Sequence, residues 1–455
     1  MKVKFINYAT IAGVIFIIIQ QAIVASSTAL IAQLSHSIMH GEGYLLWLGL
    51  FVVSLTVVYI PTTLTNYFIN KAKYITFGSY ITDFGRQAYN RPNLYYNSNF
   101  RAEKEPYFTH EAWLIIQEDY FFIVDVLSIF FNVAFNVLVL SIFLDWAFFA
   151  SYIVAIPLSL ICILISKSRL EKKSDKMQQS RNGMMQIINH GWDTILLGNK
   201  WNMSLWKNRF IRSSQTAGTD QRKLTLEIDI MSLATLVLSA LPIIIVLFMS
   251  FVRAYGNTPM LAMLVATAPR QILTIQYLSD MIGLFVQLND KVRRTKQLSA
   301  NIAFSEVSDT NGKITWGRVY IQDIERKVAL QNLNDLYLFT NNFAKGRYIV
   351  TGENGAGKTT LLAEIKLQFG DSAYFLPSNS KMMFQNDEQS REFSTGEKTL
   401  ANLDEISKNI CSEGISVLLL DEWDANLDKE NILYVNSAVG KLSNSICVIE
   451  VTHKK

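Results

Sequence analysis

The feature that most limits this chain is where its apolar residues fall. Before about residue 290 they gather in long runs, and after it they do not. A helix needs about 20 consecutive apolar residues to cross a hydrocarbon core of roughly 30 Å. Six runs reach or approach that length, at about 5–34, 43–70, 119–144, 146–166, 228–252 and 258–288. The remainder alternates strand-like and helix-like patterns, as a soluble domain does. Two domains follow: 1–296, a transmembrane domain with six helices and two long cytoplasmic loops, and 297–455, an α/β domain. The first run, "MKVKFINYATIAGVIFIIIQ", is read as a span and not as a secretory leader. It is long, and no small-x-small cleavage site stands near the expected place.

Lysine and arginine set the orientation. Lys2 and Lys4 precede the first run, and "SHSIMHGEG" after it has neither residue type. Lys71, Lys73, Arg86, Arg91, Arg101 and Lys104 follow the second run. A denser series from Lys167 to Lys223 follows the fourth, and Lys291, Arg293, Arg294 and Lys296 follow the sixth. By the positive-inside rule both termini and both long loops are cytoplasmic. The long loops read as helical continuations that turn near "RPNLYYNSN" (91–99) and "WDTILLGNK" (192–200). These tips are either solvated helix ends or contacts for the C-terminal domain. The three cysteines, Cys162, Cys411 and Cys447, lack metal-like spacing and fit a reducing compartment. The net charge of +4 says little about partners, and no nucleic-acid partner is expected.

In the C-terminal domain, "RYIVTGENGAGKTTLLAEIKLQF" (347–369) fits G-x-x-x-x-G-K-[ST] between a strand and a helix. Gly352, Glu353, Asn354, Gly355, Ala356 and Gly357 would wrap phosphates with backbone N–H groups. Lys358 would reach the β- and γ-phosphates, Thr359 would ligate Mg²⁺, and Thr360 is counted with them among the nucleotide-binding residues. "ISVLLLDEWDANLD" (415–428) supplies an apolar strand ending in Asp421 and Glu422. Asp421 is placed to hold Mg²⁺ through its water shell, and Glu422 to polarise an attacking water. "SICVIEVTHKK" ends another strand at His453, a candidate γ-phosphate sensor.

The order GENGAGKTT, FSTGEK, LLLDEWDANLD, EVTH resembles the ATP-binding cassette of ABC transporters. With six spans ahead of it, the chain resembles an exporter-type half-transporter. The resemblance implies an α-helical transmembrane domain followed by an α/β P-loop NTPase domain of ABC type. It implies ATP and Mg²⁺, and head-to-tail dimerisation of two cassettes around two ATP molecules. Ser394, Gly396 and Glu397 match the signature, Asp428 the D-loop aspartate and His453 the switch histidine. The tips of the inner loops match coupling helices.

The chain also departs from the family. Thr395 stands for the first signature glycine and Glu397 for its glutamine. In "FLPS" either Ser378 or, seven residues on, Gln385 takes the Q-loop position. Tyr320 is the nearest aromatic candidate for the adenine side, and Trp423 after Asp-Glu resembles the cyclic-peptide and siderophore exporter branch. Lys358 and Asp421 are 63 positions apart, roughly half the usual separation, so the helical subdomain is reduced. "STGE" (394–397) fits a capping box that opens a helix with Leu400, Leu403, Ile406 and Ile410 near one face.

The functional expectation is ATP-driven export of a peptide or other amphipathic molecule across a bacterial cytoplasmic (inner) membrane. The working unit would be a homodimer, or a heterodimer with a related subunit. The alternative is a nucleotide-binding membrane regulator, or a partner subunit with little hydrolysis. In the sixth run, Arg270 shares a face with Thr274 and Tyr277. Arg270 either faces a cavity that prefers polar or anionic cargo or forms an ion pair with Asp125 or Asp280.

Overall fold

The computed structural model describes residues 3–41, 43–302, 304, 313–322, 327–340, 344–377, 382–384, 395–409, 414–424 and 427–452. The chain forms two compact units, 1–81 with 110–300, and 82–109 with 301–455. The sequence reading assigned 82–109 to the N-terminal domain; in the structure it clusters with the C-terminal unit.

The helices run in the order α1 (Tyr8–His40), α2 (Tyr44–Val57), α3 (Tyr59–Ala88), α4 (Pro92–Tyr95), α5 (Ser98–Pro106) and α6 (Ala112–Phe143). There follow α7 (Trp146–Asn189), α8 (Gly191–Leu197), α9 (Lys200–Arg253) and α10 (Thr258–Ile302). The expected second span lies within one helical stretch, Tyr44–Ala88, with a one-residue interruption at Val58, where Pro61 one turn on has no N–H to donate to the preceding turn. Asn7 caps α1 through the N–H groups of Ala9 and Thr10. Asp145 makes the short α6–α7 connection by capping Ala147 N–H at 2.9 Å.

Among the described residues, five helical stretches are long and apolar enough to cross a membrane: Tyr8–His40, Tyr44–Ala88, Asn99–Phe143, Trp146–Leu197 and Lys200–Arg253. The sixth expected span falls on α10, which is long but outside that group. Arg270, Gln271, Gln276 and Asp280 lie along its apolar stretch and lower its hydropathy. α10 still packs with the others: Ile275 and Leu278 share a core with Val137 and Leu140 of α6, Tyr152 of α7 and Ile243 of α9. α2 buries none of its residues, although nearly all are apolar, as a helix facing hydrocarbon would.

The second unit is built on a six-stranded mixed sheet. Its elements are β1 (Val319–Gln322), β2 (Lys327–Ala329), α11 (Leu333–Thr340), β3 (Gly346–Gly352), α12 (Lys358–Phe369) and β4 (Ala373–Pro377). They continue with α13 (Thr395–Asn409), β5 (Val417–Asp421), α14 (Lys429–Ser443) and β6 (Cys447–Val451). The strand order is β2-β1-β3-β6-β5-β4. β3, β6, β5 and β4 are parallel, and β1 is antiparallel to β2 and β3. β5 and β6 are buried along their whole length; β5 is an apolar run closed by Asp421, as suits a covered parallel strand, and β6 carries one buried carboxylate, Glu450. Alternate residues serve opposite faces. Val417 and Leu419 join Leu361, Leu362 and Ile365 of α12. Leu418 and Leu420 join Leu403 and Ile406 of α13 and Val435 and Val439 of α14.

Candidate functional site

Parallel pairing brings the C-terminal ends of β3, β6 and β5 to one edge of the sheet, where α/β folds place their ligands. The loop from β3 to α12 turns there on three glycines. A Cβ at Gly352 would lie 2.7 Å from the Arg318 carbonyl oxygen. Gly357 has φ +94°, and a Cβ there would meet the Lys313 carbonyl oxygen at 2.6 Å. Only glycine fits these two positions. Gly355, with φ +79°, faces open space, with nothing within 4 Å of where its Cβ would be. α12 begins at Lys358 without a side-chain cap. Its first-turn N–H groups and the positive end of its dipole are available to an anion.

Lys358 Nζ donates to the carbonyls of Gly352 and Glu353 at 3.0 and 3.1 Å. Thr359 Oγ1 donates to Asp421 Oδ2 at 2.9 Å. Asp421 closes β5 and is buried. The next residue, Glu422, has φ +49° and anchors its N–H on the Val451 carbonyl at 2.9 Å. A left-handed non-glycine residue costs about 1–2 kcal/mol, and here the strained turn carries a carboxylate. A cavity of about 750 Å³ is lined by Gly352, Glu353, Asn354, Lys358, Glu422 and Thr452, together with Arg318, Tyr320, Gln322 and Lys327.

Tyr320 reaches the cavity because β1 pairs with β3 in a register that sets it opposite Thr351. Lys327 Nζ lies 4.6 Å from the centre of its ring, a cation–π contact. Arg318 pairs with Glu353 at 3.2 Å. Arg318, Gln322 and Lys327 carry no motif and were not singled out in the sequence. Only the pairing register shows where they point.

The remaining predicted residues divide three ways. Ala356 is buried in the core, and Thr360 is half-buried in the first turn of α12. Gly396 and Glu397 fall in the first turn of α13. Asp428 caps α14, accepting the Asn431 N–H at 2.8 Å. None of these five is among the residues lining the cavity. Ser394 and His453, and both Q-loop candidates Ser378 and Gln385, lie outside the described residues.

The tip at 89–97 belongs to the same unit. Tyr89 Oη donates to Asp371 Oδ1 at 2.8 Å, and the Tyr96 ring lies 6.1 Å from that of Phe375 on β4. β4 pairs with β5 so that Pro377 is opposite Asp421. The Tyr96 hydroxyl is buried without a hydrogen-bond partner among the described residues. Burial, aided by the charge of Asp421 and more weakly of Glu422, pushes its phenol well above the usual range. A smaller cavity, of about 340 Å³, is lined by Arg91, Tyr95, Tyr96, Lys366 and Phe375 among others. The tip was expected from the sequence; the nearness of Tyr96 to the Asp421–Glu422 turn was not, because nothing in the spacing encodes it.

In the helical unit, Arg270 Nη2 donates to Ser27 Oγ at 3.0 Å. It forms no ion pair with Asp125, Asp280 or any other described carboxylate, so the ion-pair reading of Arg270 does not hold among the described residues. Thr274 turns its hydroxyl back to the Arg270 carbonyl at 2.9 Å.

A hard divalent cation fits Thr359 and Asp421, which offer only oxygen. Among the described residues no group of three or more His, Cys, Asp or Glu is placed to hold a metal. No model of a known protein family matches the chain, and no curated protein matches it.

Proposed function

We propose that the chain is an exporter-type ABC half-transporter that couples ATP hydrolysis to movement of an amphipathic substrate across a bacterial cytoplasmic membrane. It would work as a dimer, with six spans and both termini inside. The observation that carries this reading is the 2.9 Å hydrogen bond between Thr359 and Asp421. It joins the glycine-rich turn to the acidic strand end, two motifs of one nucleotide site that are far apart in sequence.

In this reading the loop N–H groups and Lys358 bind the phosphates. Mg²⁺, when bound by Thr359 and Asp421, would neutralise phosphate charge. Glu422 accepts a proton from the water that attacks the γ-phosphorus, giving ADP and phosphate. The open face of the Tyr320 ring offers a stacking surface for the adenine. Tyr89 and Tyr96 link the first inner tip to the same unit. The exposed second tip, with Trp192 75% and Leu197 84% exposed, offers an apolar contact for a partner subunit.

The test is ATP hydrolysis by purified protein in lipid. Mg²⁺-dependent activity is expected, and Glu422→Gln is expected to abolish it while nucleotide binding persists. Wild-type protein that binds ATP without hydrolysing it would overturn the pump for a homodimer. It would leave the regulator or partner subunit.

A further inference from the structure

Arg270 is a cation inside a helical bundle with almost nothing to neutralise it. Its one side-chain hydrogen bond among the described residues is to the Ser27 hydroxyl at 3.0 Å. A guanidinium carries five N–H donors, and a neutral hydroxyl satisfies one. Ser27 is about 20 Å along the axis from the end of α1 at His40, deep within an apolar helix. Intramembrane arginines are costly and pair with an anion, a carbonyl or a water-filled cavity.

The polar groups nearby do not supply the missing charge. Thr28 donates to Asn136 at 3.0 Å, and Asn132 donates to Gln21 at 2.7 Å. These buried side chains satisfy one another and are neutral. Gln271, beside Arg270 in sequence, is fully buried, and neither of its amide atoms has a hydrogen-bond partner among the described residues. Two adjacent residues of α10 therefore carry unpaired polar groups, and the charged one, Arg270, has no counter-charge among the described residues.

We propose that Arg270 is the recognition residue of a ligand site within the bundle, and that the ligand is an amphipathic molecule bearing an oxyanion (carboxylate, phosphate or sulfate). The guanidinium matches an oxyanion through two parallel N–H···O bonds. The ligand's apolar part would lie against the surrounding helix faces. The depth of Ser27 disfavours a lipid headgroup, which stays at the surface. That this ligand is exported cargo rests on the transport reading; that it binds here does not.

The experiment uses the full chain in nanodiscs without nucleotide. The probes share one dansyl-undecyl tail and end in carboxylate, phosphate monoester, sulfate or neutral amide. Saturable binding of at least one anionic probe, tighter than the amide, is expected. Arg270→Gln should weaken that probe by about ten- to a hundredfold, since hydrogen bonds to charged groups are worth that much. The amide should be unaffected, and Arg270→Lys should fall between. Discs of phosphatidylcholine and of phosphatidylglycerol separate the sources. Unchanged discrimination in both supports a site for free amphiphile, whereas its loss in phosphatidylglycerol alone assigns the site to lipid and overturns the proposal.

Equal binding of all four probes, no binding of any, or an Arg270→Gln protein that discriminates as before also overturns it. A fluorescent ATP analogue on the same samples separates the two readings. Loss of nucleotide binding with discrimination intact would sink the ATP site alone, and the reverse would sink this site alone.

Discussion

Trp423 donates its indole N–H to Glu450 Oε2 at 3.0 Å, tying the residue after the Asp421–Glu422 pair to the C-terminal end of β6. Arg347 grips the same carboxylate through both oxygens, at 2.7 and 3.0 Å. Glu450 is 1% exposed, so the carboxylate depends on these two donors. Trp423→Phe removes a hydrogen bond to a charged group, at a cost of about 1.5–3 kcal/mol, and part of the indole's packing besides. Glu450→Ala takes the partner from both Arg347, which is 27% exposed, and the Trp423 indole N–H, and so costs more than loss of the one hydrogen bond. The thermal midpoint of the C-terminal unit, followed by intrinsic fluorescence and protease resistance, should fall further for Glu450→Ala. Equal effects would mean that the turn is not held this way.

The two left-handed glycines of the loop should respond unequally to alanine. Gly355→Ala adds a methyl into open space and bears only the left-handed cost, about 1–2 kcal/mol. Gly357→Ala bears that cost and also drives a Cβ to 2.6 Å from the Lys313 carbonyl. Its loss should exceed that of Gly355→Ala by at least about 1 kcal/mol, in the range of overpacking. Denaturant midpoints of the two variants decide the order.

Thr359→Val keeps the shape and removes the hydroxyl that reaches Asp421. Nucleotide binding without Mg²⁺ should be nearly unchanged, and the gain in affinity on adding Mg²⁺ should shrink by about tenfold, the worth of one such interaction. Calorimetric titration with and without Mg²⁺ reads both. A variant with the full Mg²⁺ gain would remove Thr359 from the cation site.

Docking of the first tip should be insensitive to pH across the neutral range. The hydrogen bond to Asp371 raises the pKa of Tyr89, and burial with the Asp421 charge raises that of Tyr96. A raised phenol pKa stabilises the folded state fully below the ordinary value near 10, and this is lost as pH rises through the raised value. Absorbance at 295 nm should therefore show no difference between wild type and Tyr96→Phe up to about pH 10. A phenolate signal from Tyr96 below that point would place the side chain in water.

Much of this arrangement was legible in the sequence because local signals and global position agreed. The run Val417–Leu420 has no polar alternation, which marks a strand covered on both faces, and β5 is one. The glycines at 352 and 357 are explained by close backbone approach, which a motif encodes directly. Tyr320 was a weaker case: its value depends on an antiparallel register with Thr351 that no spacing reveals. Arg270 was read two ways, since a sequence gives depth in a helix but not which side chains on other helices face it. The second span was legible as one apolar run; its local interruption at Val58 was not, because Pro61 acts one turn upstream of itself.

The place of β6 bears on how the unit comes into being. Its neighbours, β3 and β5, are both made before it, and neither pairs with the other. Until residues 447–451 leave the ribosome, the parallel sheet consists of two separate halves, and the edge that gathers Lys358, Asp421 and Glu422 does not exist. By then the helices of the first unit have long been synthesised. Membrane insertion is thus expected to precede assembly of this edge during translation, and a nascent chain arrested before β6 would be in the bilayer with its sheet still in two halves.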